Sequence, residues 1–287
     1  MAEFQSCGIP ELDERQREID DITPGDYEKY RQASGEALDL LLDRFPALTR
    51  LELAFDKLYR ELNETEVSDI NHPAIWYLYN MGLVVKTVDR CFSVDLHHSR
   101  AEELAKFLDF ALITHNHGDH YTQKFLAAMD GAGKTVVQNF YENGGAKQKG
   151  ICGYLTEYEK ELDFGGIRIL TGRCDHNSML LKYTTPFEIH IGDFTLFHSG
   201  DCCNHKELKL ERQPDLWVLH PYCGMDPLTG CREITPTPKK VVVTHLQELA
   251  HARDRWRWTY SDGMKIVNCL EAAGYSAIMP LWGDRIF

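Results

Sequence analysis

The stretch Asp109-Phe-Ala-Leu-Ile-Thr-His-Asn-His-Gly-Asp-His-Tyr-Thr122 decides the reading of this chain. Its apolar run Phe110–Thr114 predicts a strand, and Tyr121–Met129 predicts a helix. Between them His115, His117, Asp119 and His120 fall within six consecutive residues. The cluster therefore sits on a strand-to-helix turn, at the carboxyl end of a strand, where open α/β sheets place their sites. His115 and His117 lie two apart, so extended backbone points them the same way and lets them share one metal ion. Gly118 permits the sharp turn that follows. Asp119 and His120 then start the helix and can face a second ion. Imidazole and carboxylate together suit zinc, manganese, iron or cobalt. A single histidine here would read as solvated and idle; three with an aspartate make that a poor account.

Working outward, short apolar runs bounded by turns begin at about residue 71. They include Ala74–Tyr79, Gly82–Thr87, Arg90–Leu96, Thr135–Asn139, Ile167–Thr171, Met179–Tyr183, Glu188–Ile191, Phe194–His198, Leu216–His220, Val241–Thr244 and Ser276–Leu281. Many alternate in hydrophobicity and are rich in Val, Ile, Tyr and Phe, as strands are. Ala101–Leu108 and Asp262–Ala273 read as helices. Hairpin-like runs mixed with helices predict an α/β (α+β) layered domain over 71–287. Residues 1–70 read differently. Asp26–Arg44 and Pro46–Asn63 carry apolar residues three and four apart, punctuated by Pro24-Gly25 and Pro46. They predict an acidic helical extension packed on the main domain, with a dimerisation arm or a cap over the site as the sharper alternatives.

The chain has 287 residues, 43% of them hydrophobic and 26% charged, which suits a soluble globular protein with a sizeable core. Its net charge is −13, and the first 70 residues hold 18 acidic against 8 basic side chains. Phosphate backbones are bound mainly by Lys and Arg, so no nucleic-acid partner is expected. No apolar run approaches the roughly 20 residues of a membrane helix. The amino terminus lacks a basic segment followed by an apolar one, so no signal peptide is expected. Nine cysteines without a CxxC pair then read as reduced thiols in a cytoplasmic protein.

His115-Asn-His-Gly-Asp-His120 resembles the HxHxDH signature of the metallo-β-lactamase superfamily at every fixed position. Other elements of that family's pattern follow in order: Asp95 closing Phe92-Ser-Val-Asp95, His176 in Cys174-Asp-His-Asn177, Asp201 in His198-Ser-Gly-Asp201, and His245 ending Val241-Val-Val-Thr-His245. The match spans roughly 74–287. The His-Ser-Gly-Asp form and the opening run Trp76–Lys86 are similar to the ascorbate-6-phosphate lactonase-like branch of metal-dependent hydrolases. That branch begins near its first core strand, whereas here some 70 residues precede it.

The resemblance implies a four-layer αββα sandwich and two divalent metal ions, zinc ahead of manganese or iron. It implies His115, His117 and His176 on one ion, Asp119, His120 and His245 on the other, Asp201 bridging both, and Asp95 orienting the ligands. Two ions about 3.5–4 Å apart clamp a hydroxide and lower its pKa toward neutrality. The expected activity is hydrolysis of a small ester, lactone or phosphoester. Asp119 is a candidate proton shuttle and Asp201 an anionic bridge. The rivals are a phosphodiesterase or nuclease of the same fold, and an iron-dependent redox or non-catalytic metal-binding member. A small-molecule substrate is the expected partner, and a homo-oligomer is compatible with the sequence.

Other residues carry weaker expectations. His198 reads either as a substrate-contacting or acid–base group, or as a core histidine. His97, His98 and His220 lie near the candidate site, and His251 follows with Arg253, Arg255 and Arg257. Those arginines read as a solvated face ahead of an anion site. Cys202 and Cys203 read as buried thiols, and Trp256 and Trp258 as packing residues.

Overall fold

A computed structural model describes residues 8–138 and 161–287. Cys7, Asn139 and Cys152 lie outside the described residues. Four helices come first: α1 (Pro10–Asp20), α2 (Pro24–Gln32), α3 (Glu36–Arg44) and α4 (Pro46–Glu64). Proline opens α1, α2 and α4, where its missing N–H and fixed φ cost nothing. Thr23 and Asp26 cap α2 reciprocally. The single helical stretch expected over Asp26–Arg44 divides into two, because Gly35 takes φ +55° between α2 and α3.

The first sheet runs β1 (Ala74–Tyr77), β2 (Leu83–Lys86), β3 (Cys91–Val94), β4 (Phe110–Leu112) and, after α5 (Gln123–Gly131), β5 (Thr135–Val137), in chain order. The second holds β6 (Glu161–Asp163), β7 (Ile167–Thr171), β8 (Phe187–Ile191), β9 (Phe194–His198), β10 (Leu216–Leu219), β11 (Lys240–Val243) and β12 (Ser276–Ile278). The short helix α6 (Pro227–Glu233) leads into β11, and α7 (Tyr260–Ala272) leads into β12. Each sheet starts antiparallel and ends parallel: β3, β4 and β5 pair in parallel, as do β9 to β12.

Strand alternation fixes the layers. Ile75, Val85 and Phe110 meet Ile189, Leu196 and Val242 between the two sheets. Trp76, Val84 and Ala111, on the opposite face of the first sheet, pack against Leu51, Phe55 and Leu58 of α4 and Phe125 of α5. Trp217 and Val243 pack outward against Cys231 of α6 and Leu270 of α7. The result is a four-layer αββα sandwich, with α1–α4 filling out one helical layer.

Two expectations change. Met179–Tyr183 forms no strand; it is a loop with Met179 and Leu181 exposed. The cysteines are not all reduced, because Cys174 and Cys202 form a disulfide across 28 residues of sequence. Among the described residues no helix is long and apolar enough to cross a membrane.

Candidate metal centre

Every candidate ligand sits just past the carboxyl end of a strand. His115 to His120 follow β4, His176 follows β7, Asp201 follows β9 and His245 follows β11. The sandwich brings these ends to one edge. Asp201 is the hub: His115 Nε2, His120 Nε2, His176 Nε2 and His245 Nε2 lie 3.8, 3.4, 3.6 and 3.6 Å from its carboxylate. His117 Nδ1 lies 3.0 Å from His176 Nε2. On the other side Asp119 Oδ2 is 3.2 Å from His245 Nε2 and 3.6 Å from His120 Nε2.

Donor atoms of His115, His117, His176 and Asp201 lie within 4.8 Å of one another, as do those of Asp119, His120 and His245. His115 Nε2, His120 Nε2, His245 Nδ1 and Asp201 Oδ1 are buried with no partner at hydrogen-bond geometry among the described residues. Buried polar atoms are rarely left so, and His115 Nε2, His120 Nε2 and Asp201 Oδ1, which converge without bonding one another, fit divalent cations. Burial opposes charge on His120, yet the carboxylates of Asp201, Asp119 and Asp95 raise it well above an ordinary imidazole. His115 shifts the other way, pushed down by burial and then by neighbouring His120.

Asp95 holds this arrangement from beneath. Its carboxylate accepts from Thr114 N at 2.8 Å, Thr114 Oγ1 at 2.7 Å and His120 Nδ1 at 2.8 Å. The bond to Asp95 fixes a proton on His120 Nδ1, so Nε2 is the nitrogen offered toward Asp119 and Asp201 and the one that would bind a metal ion. Asn80 does a similar service for Asp119, donating from Nδ2 to its carbonyl and to Oδ2. Among the described residues, five of the six non-glycine residues at positive φ gather around this region: Asn80, Asp95, His245, Gln247 and Trp256. Such backbone persists where surrounding contacts over-determine it, and it concentrates at functional sites.

Several residues take places other than those expected. His198 does not line the cavity. It is fully buried, with Nε2 on Met81 O at 3.0 Å and Nδ1 accepting from Gly200 N, so it braces the Asp201 turn. His97 and His98 face the amino-terminal helices: His97 bonds Tyr27, and His98 stacks on Phe55. Gly118 lies outside the left-handed region with open space where a Cβ would sit, so this turn does not demand glycine. His220 joins the centre, its ring stacked 3.8 Å above His245 and its donor atom within 4.8 Å of those of Asp201 and His245.

The centre opens into a cavity of 570 Å³. Trp256 lines it, exposed rather than packed in the core, while Trp258 and Tyr222 both line it and pack against the outer core cluster; His251 joins them. Cys223 was not singled out by its sequence. It lies in the wall with Sγ 3.1 Å from Asp201 O, and burial, then the Asp201 charge, push its thiol up.

No protein-family model matches the chain, and no curated protein matches its sequence. Solved structures match its fold. Igni18, a metallo hydrolase from the archaeon Ignicoccus hospitalis, superposes with a TM-score of 0.58 at 18% identity, over 75% of this chain and 97% of that one. CmlA, a diiron β-hydroxylase from Streptomyces venezuelae, gives 0.52 at 16% identity, over 86% of this chain and 59% of that one. The metallo-β-lactamase fold protein YhfI from Bacillus subtilis gives 0.52 at 13%, over 75% and 99%. Two facing sheets with helices packed on both outer faces and these superpositions together give one conclusion: the chain has the metallo-β-lactamase fold.

Proposed function

We propose that the protein is a metal-dependent hydrolase acting on a small ester, lactone or phosphoester through a dinuclear centre. The observation that carries this is the convergence of seven buried or half-buried side chains, Asp201 being one of four donors on one side and three more lying on the other. His115, His117 and His176 would hold one ion, Asp119, His120 and His245 the second, and Asp201 both; zinc suits this set best, with manganese and iron also compatible. Bound there, a divalent pair supplies Lewis acidity and activates water near neutral pH.

The protein's own groups do the rest. Asp119 Oδ2 faces the cavity between His120 and His245, placed to accept the proton released as water attacks the carbonyl carbon. The same proton can then pass to the leaving alkoxide, which breaks the C–O bond with charge balanced. Asp95 and Asn80 keep His120 and Asp119 in position, and His198 steadies the turn that presents Asp201.

A second reading is iron-dependent redox chemistry. It draws on the diiron β-hydroxylase, whose match extends over 86% of the chain where the other two cover 75%. Elemental analysis of purified protein, joined to an ester, lactone and phosphodiester panel, separates the two. The hydrolase reading expects about two divalent ions per chain and turnover, both abolished in His115→Ala. Iron alone with no hydrolysis favours the redox reading. Full metal content in His115→Ala would refute the ligand assignment.

A further inference from the structure

The cavity wall beyond the metal ligands is selective in a way the ligand set does not dictate. Among the described residues lining it there is no Lys or Arg. Of the arginines nearby, Arg257, Arg253 and Arg31 are paired elsewhere, and Arg255 is exposed outside the lining. Arg257 donates to the carbonyls of Ile19, Ile22, Glu248, Leu249 and His251. Arg253 lies 2.8 Å from the Asp20 carboxylate. Arg31 borders a side cavity that shares Asp119 and His251 with the main one, and it pairs with Glu28 at 3.3 Å. A phosphate or carboxylate held away from the candidate metal centre would meet no guanidinium fork in the main cavity.

The wall offers ring surface instead. Tyr222 and Trp258 stack with centroids 4.2 Å apart and 19° between planes. Trp256 stands 65% exposed at the cavity, edge-on to His251 at 5.6 Å. Its backbone is held at φ +64°, an unfavourable conformation for a bulky side chain. Exposed indole is uncommon unless something covers it, and a flat apolar ligand gains both area and ring contact there.

We propose that the substrate is an uncharged ester or lactone bearing an aromatic ring, with the ring against Trp256 and Trp258 and the carbonyl directed to the Asp201 side of the cavity. This rests on the hydrolase reading and narrows it to neutral carbonyl substrates over phosphoesters. Water adds to the carbonyl carbon, the ester C–O bond breaks, and the proton lost by water ends on the leaving alcohol.

The test uses the metal-loaded full chain with methyl phenylacetate, methyl propionate and phenyl phosphate. The ring-bearing neutral ester is expected to exceed each of the others by about tenfold in kcat/KM. Trp256→Ala should collapse the phenylacetate-to-propionate ratio toward one through KM, at unchanged metal content, and Trp256→Phe should restore it. Equal or better turnover of propionate or phenyl phosphate, or a ratio untouched by Trp256→Ala, overturns the proposal. Calorimetric titration with phenylacetamide against acetamide separates the two readings if no ester turns over. Saturable binding of phenylacetamide alone, lost in Trp256→Ala, upholds ring recognition and removes the hydrolase reading. No such binding removes ring recognition itself.

Discussion

His97 shows how one side chain ties stability to pH. Its Nδ1 lies 3.0 Å from Tyr121 O, a pure acceptor, so that nitrogen carries the proton. Its Nε2, 3.1 Å from Tyr27 Oη, then accepts from the phenol. Both nitrogens are satisfied in the neutral ring, and a second proton would displace the Tyr27 donor. Burial, and then nearby Arg31, push the imidazole down to about 4. An unfolded histidine titrates near 6.5, so below that pH the unfolded chain binds a proton the native one refuses. The native state therefore loses stability as pH falls from about 6.5 toward 4, by up to about 3 kcal/mol for this residue, and the contribution is flat above. Urea unfolding across that range should show the slope, and His97→Gln should reduce it by about one proton. An unchanged slope in the variant would assign the acid sensitivity to other groups.

Among the elements, the turns after the strands carry both the chemistry and the tightest packing. Gly200 sits between His198 and Asp201 at φ +55°, and a Cβ there would lie 2.7 Å from Thr114 Cβ and 2.8 Å from Thr184 Cγ2. Neither neighbour is the end of a flexible chain. Gly200→Ala should cost about 2–5 kcal/mol from backbone strain and overpacking combined, and it should weaken metal retention because Asp201 is the next residue. Gly131→Ala, with open space around its Cβ, is the control and should leave the urea midpoint nearly unchanged. Equal midpoints for the two variants would refute this account. The same turns explain what could be read in advance. His115 to His120, Asp201 and His245 each follow a short apolar run bounded by a turn, and such runs place them at strand ends from sequence alone. Parity along β9 could not say that His198 would be roofed by Met81 rather than open to the cavity. The segment 246–258 has no periodicity, and long-range bonds from Arg257 shape it, so the Trp256 and Trp258 wall left no local signal. The Cys174–Cys202 bond likewise depends on the β7 and β9 ends meeting, which their sequence separation does not disclose.

At the scale of the whole molecule, the amino-terminal helices are bound into the sandwich rather than appended to it. Leu48, Leu51, Phe55 and Leu58 of α4 are fully buried in the same cluster as Trp76 and Val84 of the first sheet. Lys57 Nζ donates to Gly283 O at 2.9 Å, and Lys86 Nζ donates to Leu62 O at 2.7 Å, so α4 is also tied to the chain's far end and to β2. Gln16 of α1 pairs with Gln247, and the carbonyls of Ile19 and Ile22 receive Arg257. Through those bonds α1 grips the segment that bears His245 at one end and Trp258 at the other. Each large apolar side chain buried here contributes roughly 1.5–3 kcal/mol, so the layer as a whole outweighs the net stability of a typical domain. Removing residues 1–64 should therefore expose the outer face of the first sheet and leave the buried Arg257 guanidinium short of two acceptors. The expected product is aggregated, or recovered only as a dye-binding species with no cooperative melt and weakened metal retention. A truncated chain that stays monodisperse, melts cooperatively near the full-length temperature and keeps its full complement of metal would show that the sandwich and its centre stand without α1–α4.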